Sequence, residues 1–269
     1  MNQPPGVCDD ISAGWAGLLD ELDRWETAER TAALWWRDDD AVVPSPGLDR
    51  LVAIAKEIPI ALAVIPADAR PDLAIWLSQS RRSLAVLQHG WRHSNYSAAG
   101  EKKSEFPSAR SAGEVSFELS AGRARLVQLF GRRALPVLVP PWNRIDHGFL
   151  PLLCDCGIRA ISQVKPRRTL SPRPGVIEVN VHVDLVAWAG DRGFIGEEAA
   201  LDGIIGHLRA RRLGRVCRDE PTGILTHHLV QDDATDAFLR RIIALTRAHP
   251  AARWLDATEV FAATRASPA

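Results

Sequence analysis

Leu84-Ala85-Val86-Leu87-Gln88-His89-Gly90-Trp91-Arg92-His93 carries two messages in one short run. Its opening is continuously apolar, which predicts a short buried strand over 84–87. Its end places two histidines three residues apart, so that their rings can face the same way in a helical turn or a tight loop. Neutral imidazoles are common ligands for zinc-like ions, and two that converge supply half of a tetrahedral site. Two surface histidines beside a tryptophan explain the bare pattern at least as well. What tips the balance is an acidic cluster, Asp38-Asp39-Asp40, at the end of an earlier apolar run. The chain can thus offer a carboxylate and two imidazoles from successive strand ends.

Outward from that stretch, strand and helix patterns alternate. Apolar positions at helical spacing predict an opening helix over 11–30, and Ala32 to Trp36 predicts a strand ending on Arg37 and the aspartates. Helix 48–58, strand 60–65, helix 73–80 and strand 84–87 follow. The polar stretch 94–111 lacks periodicity and is long for a connector, which predicts a functional lid. Then come helix 113–130, strand 135–139, helix 149–156 stopped by Gly157, and strand 158–161. Residues 176–188 alternate polar and apolar as one strand does, with His182 and Asp184 on the polar face. They either line a pocket or form a satisfied polar pair. Helix 197–212, strand 222–226 leading into His227-His228, and helix 235–248 complete the series. Such alternation argues for a parallel sheet with crossover helices in one domain spanning 1–269, its core at 32–262. His147, His207 and His249 fall on expected helices or loops and are expected at the surface. Trp188 is expected to pack in the core.

The bulk properties exclude more than they assign. Lys plus Arg equals Asp plus Glu at 33 each, so no net charge points to nucleic acid or a membrane surface. Cys8, Cys154, Cys156 and Cys217 make no disulfide framework in a chain of 269 residues and are expected to be reduced. No secretory pattern and no membrane-length apolar run is evident, so the expectation is a cytoplasmic protein.

The polar groups with chemical potential gather at expected strand C-termini, where α/β barrels build their sites. There the chain resembles the polysaccharide deacetylase family, carbohydrate esterase family 4. Trp36-Arg37-Asp38-Asp39-Asp40 looks like its Thr-Phe-Asp-Asp-Gly, and His89-Gly90-Trp91-Arg92-His93 like its His-Ser/Thr-x-x-His. Val139-Pro140-Pro141-Trp142-Asn143 is similar to Arg-Pro-Pro-Tyr-Gly, and Ile224-Leu225-Thr226-His227 to Ile-Leu-Leu-His. The four occur in the family's order over roughly residues 32–230. The resemblance implies an α/β fold, a distorted (β/α)7 barrel, and metal-dependent removal of N- or O-acetyl groups from an acetylated amino sugar or glycoconjugate.

Carried over residue by residue, the resemblance implies a divalent metal, zinc first, on Asp39, His89 and His93. Asp38 would be the general base and His227 the general acid, with His228 leaving that choice open by one position. The backbone at Trp142 would help hold an oxyanion, and Trp142, Asn143, Arg37 and Asp184 would line the substrate site. The family's motif arginine aligns with Val139, which leaves Arg37 and Arg144 as candidate replacements. Two other readings stand beside this one: a hydrolase of a small non-sugar amide using the same metal site, and a sugar- or metal-binding protein without turnover.

Overall fold

The structure, a computed structural model, describes residues 13–80 and 83–262; Cys8 and the expected helix start at Ile11 lie outside them. In chain order the elements are α1 (Ala13–Thr27), β1 (Ala32–Ala41), α2 (Pro46–Ala55), β2 (Ile60–Val64), α3 (Pro71–Gln79), β3 (Leu84–His89), α4 (Ala112–Phe130), β4 (Ala134–Val139) and α5 (Leu152–Asp155). They continue as β5 (Ala160–Ile161), β6 (Ile177–Glu178), β7 (Val183–Asp184), α6 (Glu197–Arg212), β8 (Thr222–Thr226), α7 (Asp233–Ala248), β9 (Ala252–Trp254) and α8 (Ala257–Val260). The strands run β6-β5-β4-β3-β2-β1-β8-β7, with β9 also on β1. Every pairing between named strands is parallel. The sheet curls into a distorted (β/α)7 barrel, with its helices outside. Among the described residues no helix is long and apolar enough to cross a membrane.

Period-two alternation sorts the core into two layers. Trp36, Ile60, Leu62, Val64, Leu84, Val86 and Ile224 face outward and pack under the helices with Trp15, Leu18, Leu51, Leu201 and Ile242. Trp35, Ala61, Ala63, Ala85, Leu87, Val137, Val139 and Leu225 face inward and fill the barrel. Small alanines on β2 and β3 leave room in that interior for the large Trp35, which meets Phe261 edge-on at 5.7 Å. Each strand residue therefore has a side, and that side decides what chemistry it can reach.

Several expectations change. β1 does not stop at Trp36; it carries all three aspartates. The single strand over 176–188 is broken into β6 and β7, because polar groups capture its backbone. The Asn180 N–H donates to Glu220 Oε1 at 2.9 Å, and the Asn180 carbonyl accepts the Trp35 indole N–H at 3.1 Å. The 94–111 stretch is not a free lid: Ser104, Glu105 and Phe106 are buried. His207 is buried rather than superficial, and Trp188 is exposed rather than packed. Cys154, Cys156 and Cys217 are free thiols.

Candidate active site

Parity along β1 assigns its charged residues. Arg37 and Asp39 alternate with Trp35 and point into the barrel; Asp38 alternates with Trp36 and points to the helices. Arg37 is fully buried. Its guanidinium grips Asp39 through two bonds, Nε to Oδ1 at 2.8 Å and Nη2 to Oδ2 at 3.0 Å. Nη1 donates to Ser162 Oγ at 2.9 Å and Nη2 to Asn143 Oδ1 at 2.7 Å. A bidentate fork of this kind fixes carboxylate orientation as well as charge. Arg37 is thus sealed away from any substrate and serves to position Asp39. Asn143 spends its side-chain oxygen on Arg37, which also removes that atom from substrate contact.

Asp40 would face outward by simple alternation. Instead the β1–β2 register shifts between Asp38 and Ala41, and Asp40 takes a left-handed φ of 73°. The bulge turns its carboxylate toward the histidine pair, as bulges at strand ends do. Asp40 Oδ1 lies 3.1 Å from His89 Nε2 and 3.5 Å from His93 Nε2. Donor atoms of these three residues all lie within 4.8 Å of one another. The convergence expected for Asp39 therefore belongs to Asp40, and Asp39 stands behind it, held by Arg37.

The donor set fits a divalent cation. His89 Nδ1–H donates to the Val139 carbonyl at 2.9 Å, which fixes the tautomer and leaves the Nε2 lone pair aimed at Asp40. Asp40 Oδ1 is buried without a hydrogen-bond partner. Lone pairs meeting at that distance need a proton or a cation between them. The titration tendencies express the same demand. Burial works against charge on His89, but the Asp39 and Asp40 carboxylates outweigh it and raise its pKa. Burial also opposes charge on Asp40, yet the close approach of His89 and the charges of His89, His93 and His227 hold it well below the carboxylate range. His93 is pushed down, by burial first and then by His89. Oxygen and imidazole donors of this kind suit zinc among other ions.

The loop between the histidines is built by Glu105. Its carboxylate accepts the Trp91 N–H at 3.0 Å and the Arg92 N–H at 2.7 Å. Gly90 has φ of 57°, and a Cβ there would fall on the Glu105 carboxylate and within 2.6 Å of Pro141. Glycine is required there because Glu105 fills its flank. No spacing rule in the sequence pointed to Glu105, which lies in the stretch expected to be a lid. Beyond the loop, the Trp142 ring packs on His93 at 4.3 Å between centroids, and Trp142 itself has a left-handed φ of 54°.

His227 follows Leu225 in parity and enters the barrel mouth. Its Nδ1 lies 3.8 Å from Asp184 Oδ1, and the Trp188 ring meets it edge-on at 4.7 Å. Asp184 Oδ2 accepts the Trp188 indole N–H at 2.7 Å. Burial raises the Asp184 pKa, with the His227 charge and the Trp188 bond pulling the other way. Asp184 therefore binds Trp188 and faces His227 across a gap longer than a hydrogen bond, with its side chain still partly exposed. Asp38 is on the far side of β1, fully buried and enclosed by Thr226 and His228. A carboxylate so placed cannot meet a substrate, which corrects its expected role as base.

A second group, His182, His207 and Glu220, also brings donor atoms within 4.8 Å. Its geometry differs. The Gly223 N–H donates to His182 Nδ1 at 2.9 Å, which leaves the proton on Nε2, 3.5 Å from Glu220 Oε2. The rings stack at 3.4 Å and 19°, and His182, with Nδ1 taken by the Gly223 N–H and a proton on Nε2, has no free lone pair to offer an ion. The metal-like pair His89 and His93 is instead inclined at 59° with centroids 5.0 Å apart. His182 is thus a polar partner at the opposite end of β8, not a pocket residue.

An inward carboxylate fixed by arginine, an Asp-His-His donor set and a histidine beyond β8 thus gather at the C-terminal end of a parallel barrel. The chain has the fold of the polysaccharide deacetylases of carbohydrate esterase family 4. A polysaccharide deacetylase structure from Mycobacterium smegmatis superposes with a TM-score of 0.57 at 18% identity, covering 88% of this chain and 91% of that one. A peptidoglycan N-acetylglucosamine deacetylase in complex with 4-naphthalen-1-yl-N-oxidanyl-benzamide gives 0.55 at 16%, covering 86% and 89%. A family 4 pseudoenzyme of Bacillus anthracis, as a mutant with restored activity, gives 0.53 at 13%, covering 86% and 67%. No protein-family model and no curated protein matches the sequence. The fold thus hosts both active and inactive members, and function has to be argued from the site.

Proposed function

We propose that the chain is a metal-dependent hydrolase that removes an acetyl group from nitrogen or oxygen of an acetylated amino sugar or glycoconjugate. The observation that carries this reading is the meeting of Asp40, His89 and His93 beside an arginine-locked Asp39. Asp40, His89 and His93 would hold the ion, with zinc the first choice. Such an ion, when bound, acidifies water and polarises an acyl oxygen. Asp39 is the general base, its rotamer set by Arg37 so that one carboxylate edge receives the proton of the attacking water. The Trp142 N–H supplies a backbone donor for the developing oxyanion, in the left-handed turn that lifts it toward the barrel mouth. His227, backed by Asp184, gives a proton to the departing amine or alcohol, a task within the reach of imidazole near neutral pH. The 3.8 Å separation of His227 and Asp184 tightens when substrate excludes water, as such bonds do. Arg37 takes over the duty of the family arginine whose position Val139 occupies.

The test is deacetylation of N-acetylated chitooligosaccharides and of acetylated xylan by zinc-loaded protein, against Asp39→Asn. Full activity in that variant would remove Asp39 as base. A second reading, a binding protein without turnover, draws on the pseudoenzyme among its structural neighbours. Stoichiometric metal with no release of acetate from any acetylated substrate, small amides included, would favour it.

A further inference from the structure

The β1–β8 ladder runs from Leu34↔Thr222 to Asp38↔Thr226 and ends there. His227 is the first residue beyond it. Its own ring makes only loose contacts, 3.8 Å to Asp184 and an edge against Trp188. Something other than the sheet must hold it.

Asp38 is placed to do so. Its Oδ2 accepts the Thr226 hydroxyl at 2.6 Å and the His228 N–H at 3.0 Å, and its Oδ1 accepts His228 Nδ1–H at 2.5 Å. Thr226 Oγ1 in turn accepts the Trp36 indole N–H at 2.9 Å. Three donors from the residues on either side of His227 therefore end on one carboxylate. All of these groups are buried, where a satisfied network is stiff and an unsatisfied one costly. From the other side, Gly47 packs so closely on the His228 carbonyl that a Cβ there would collide with it.

We propose that Asp38 is a positioning residue for the acid: it clamps Thr226 and His228 on the outer face of the sheet and so fixes where His227 stands on the inner face. The same strand carries Asp39 and Asp40, so the clamp sets the distance from acid to base and metal ligand. This inference rests on the reading of His227 as the acid.

The experiment exploits the leaving group. A phenolate from 4-nitrophenyl acetate departs without an acid; the amine from triacetylchitotriose does not. Zinc-loaded wild type, Asp38→Ala, Asp38→Asn and His227→Ala are compared on both, with metal content and the exchange rate of the His228 amide measured in parallel. For Asp38→Ala we expect a fall of roughly 30-fold in kcat on the amide, less than the roughly 100- to 10,000-fold that complete loss of an acid costs because His227 is displaced and not removed, and less than about 3-fold on the aryl ester. Metal content stays stoichiometric, and the His228 amide exchanges at least about tenfold faster. Asp38→Asn, which can still accept from the His228 N–H, recovers part of the amide rate and covers the case in which the alanine variant fails to fold. Equal losses on both substrates, loss of metal, or unchanged His228 exchange each overturn the clamp. If His227→Ala shows no leaving-group dependence, the acid assignment fails instead. The clamp is then still decided by His228 exchange and by the shift of the His227 ring resonances in Asp38→Ala.

Discussion

Gly90→Ala should cripple the histidine loop from a distance of one methyl group. The new Cβ would stand in a left-handed conformation, φ 57°, on top of the Glu105 carboxylate and within 2.6 Å of Pro141. The backbone penalty is about 1 kcal/mol. Moving Glu105 loosens its bonds to the Trp91 and Arg92 N–H groups, at 3.0 and 2.7 Å. Losing one charge-assisted bond of that kind costs about 2 kcal/mol. The sum of roughly 3 kcal/mol corresponds to a fall in Tm of about 10 °C for a domain of this size. Because the loop connects His89 and His93, the proposed metal ligands, zinc affinity should drop roughly 10- to 100-fold, as it does when ligand supports are removed. Glu105→Ala supplies the control. It frees the space beside position 90, so the pair Gly90→Ala, Glu105→Ala should cost about 1 to 2 kcal/mol less than the sum of the singles. Chemical denaturation of the four proteins measures this. If the two changes add within about 0.5 kcal/mol, Glu105 is not what excludes a side chain at 90.

Zinc titration should separate the aspartates: Asp40→Asn should lose at least about 100-fold in affinity, more than a supporting residue would, whereas Asp39→Asn keeps its metal and loses turnover. Arg37→Lys keeps the charge but not the fork; it should lower kcat by at least about tenfold with little change in KM, since Arg37 never touches substrate. His207 is pushed down to about 2, by burial first and then by the charges of His182 and Arg211. Only the unfolded chain takes up that proton below its ordinary pKa near 6.5, so the contribution is fully present above about 6.5 and is lost as pH falls. The stability difference between wild type and His207→Gln, followed by urea melts from pH 7 to 4.5, should therefore shrink by up to about 1.4 kcal/mol per unit; a flat difference would contradict it.

How far the sequence disclosed this site depends on what kind of information each residue carries. Helix 197–212 and strand 222–226 were legible to the residue, because apolar spacing alone determines them. His89, His93 and the His227-His228 pair were legible as strand-end groups because strand ends gather at one face of a parallel barrel, but which of the last two turns inward was not. Glu105 was not, since a carboxylate that caps two loop N–H groups leaves no periodic trace. Nor was the stack of His182 on His207, which depends on a long-range meeting of β8 with α6.

The aspartates show where local pattern and tertiary geometry divide. Three identical residues in a row offer no chemical means of telling base from ligand, but parity does. Trp35, Arg37 and Asp39 share one side of β1, Trp36 and Asp38 the other, and a strand inside a barrel has catalytic space on one side only. Alternation alone would have excluded Asp38 as base and seated Asp39 next to Arg37. It would then have sent Asp40 outward, away from the histidines. What overturns that last step is the bulge between Asp38 and Ala41 together with a positive φ at Asp40. The residue type gives only a mild hint of it, aspartate being among the side chains that tolerate the left-handed region. One irregular residue thus brings two consecutive carboxylates to the same side of the sheet, Asp39 against Arg37 and Asp40 against the histidine pair. A regular strand can place only every second residue there. The base and metal ligand proposed here, adjacent in sequence, therefore require the ladder to break at that point, and in this chain it does.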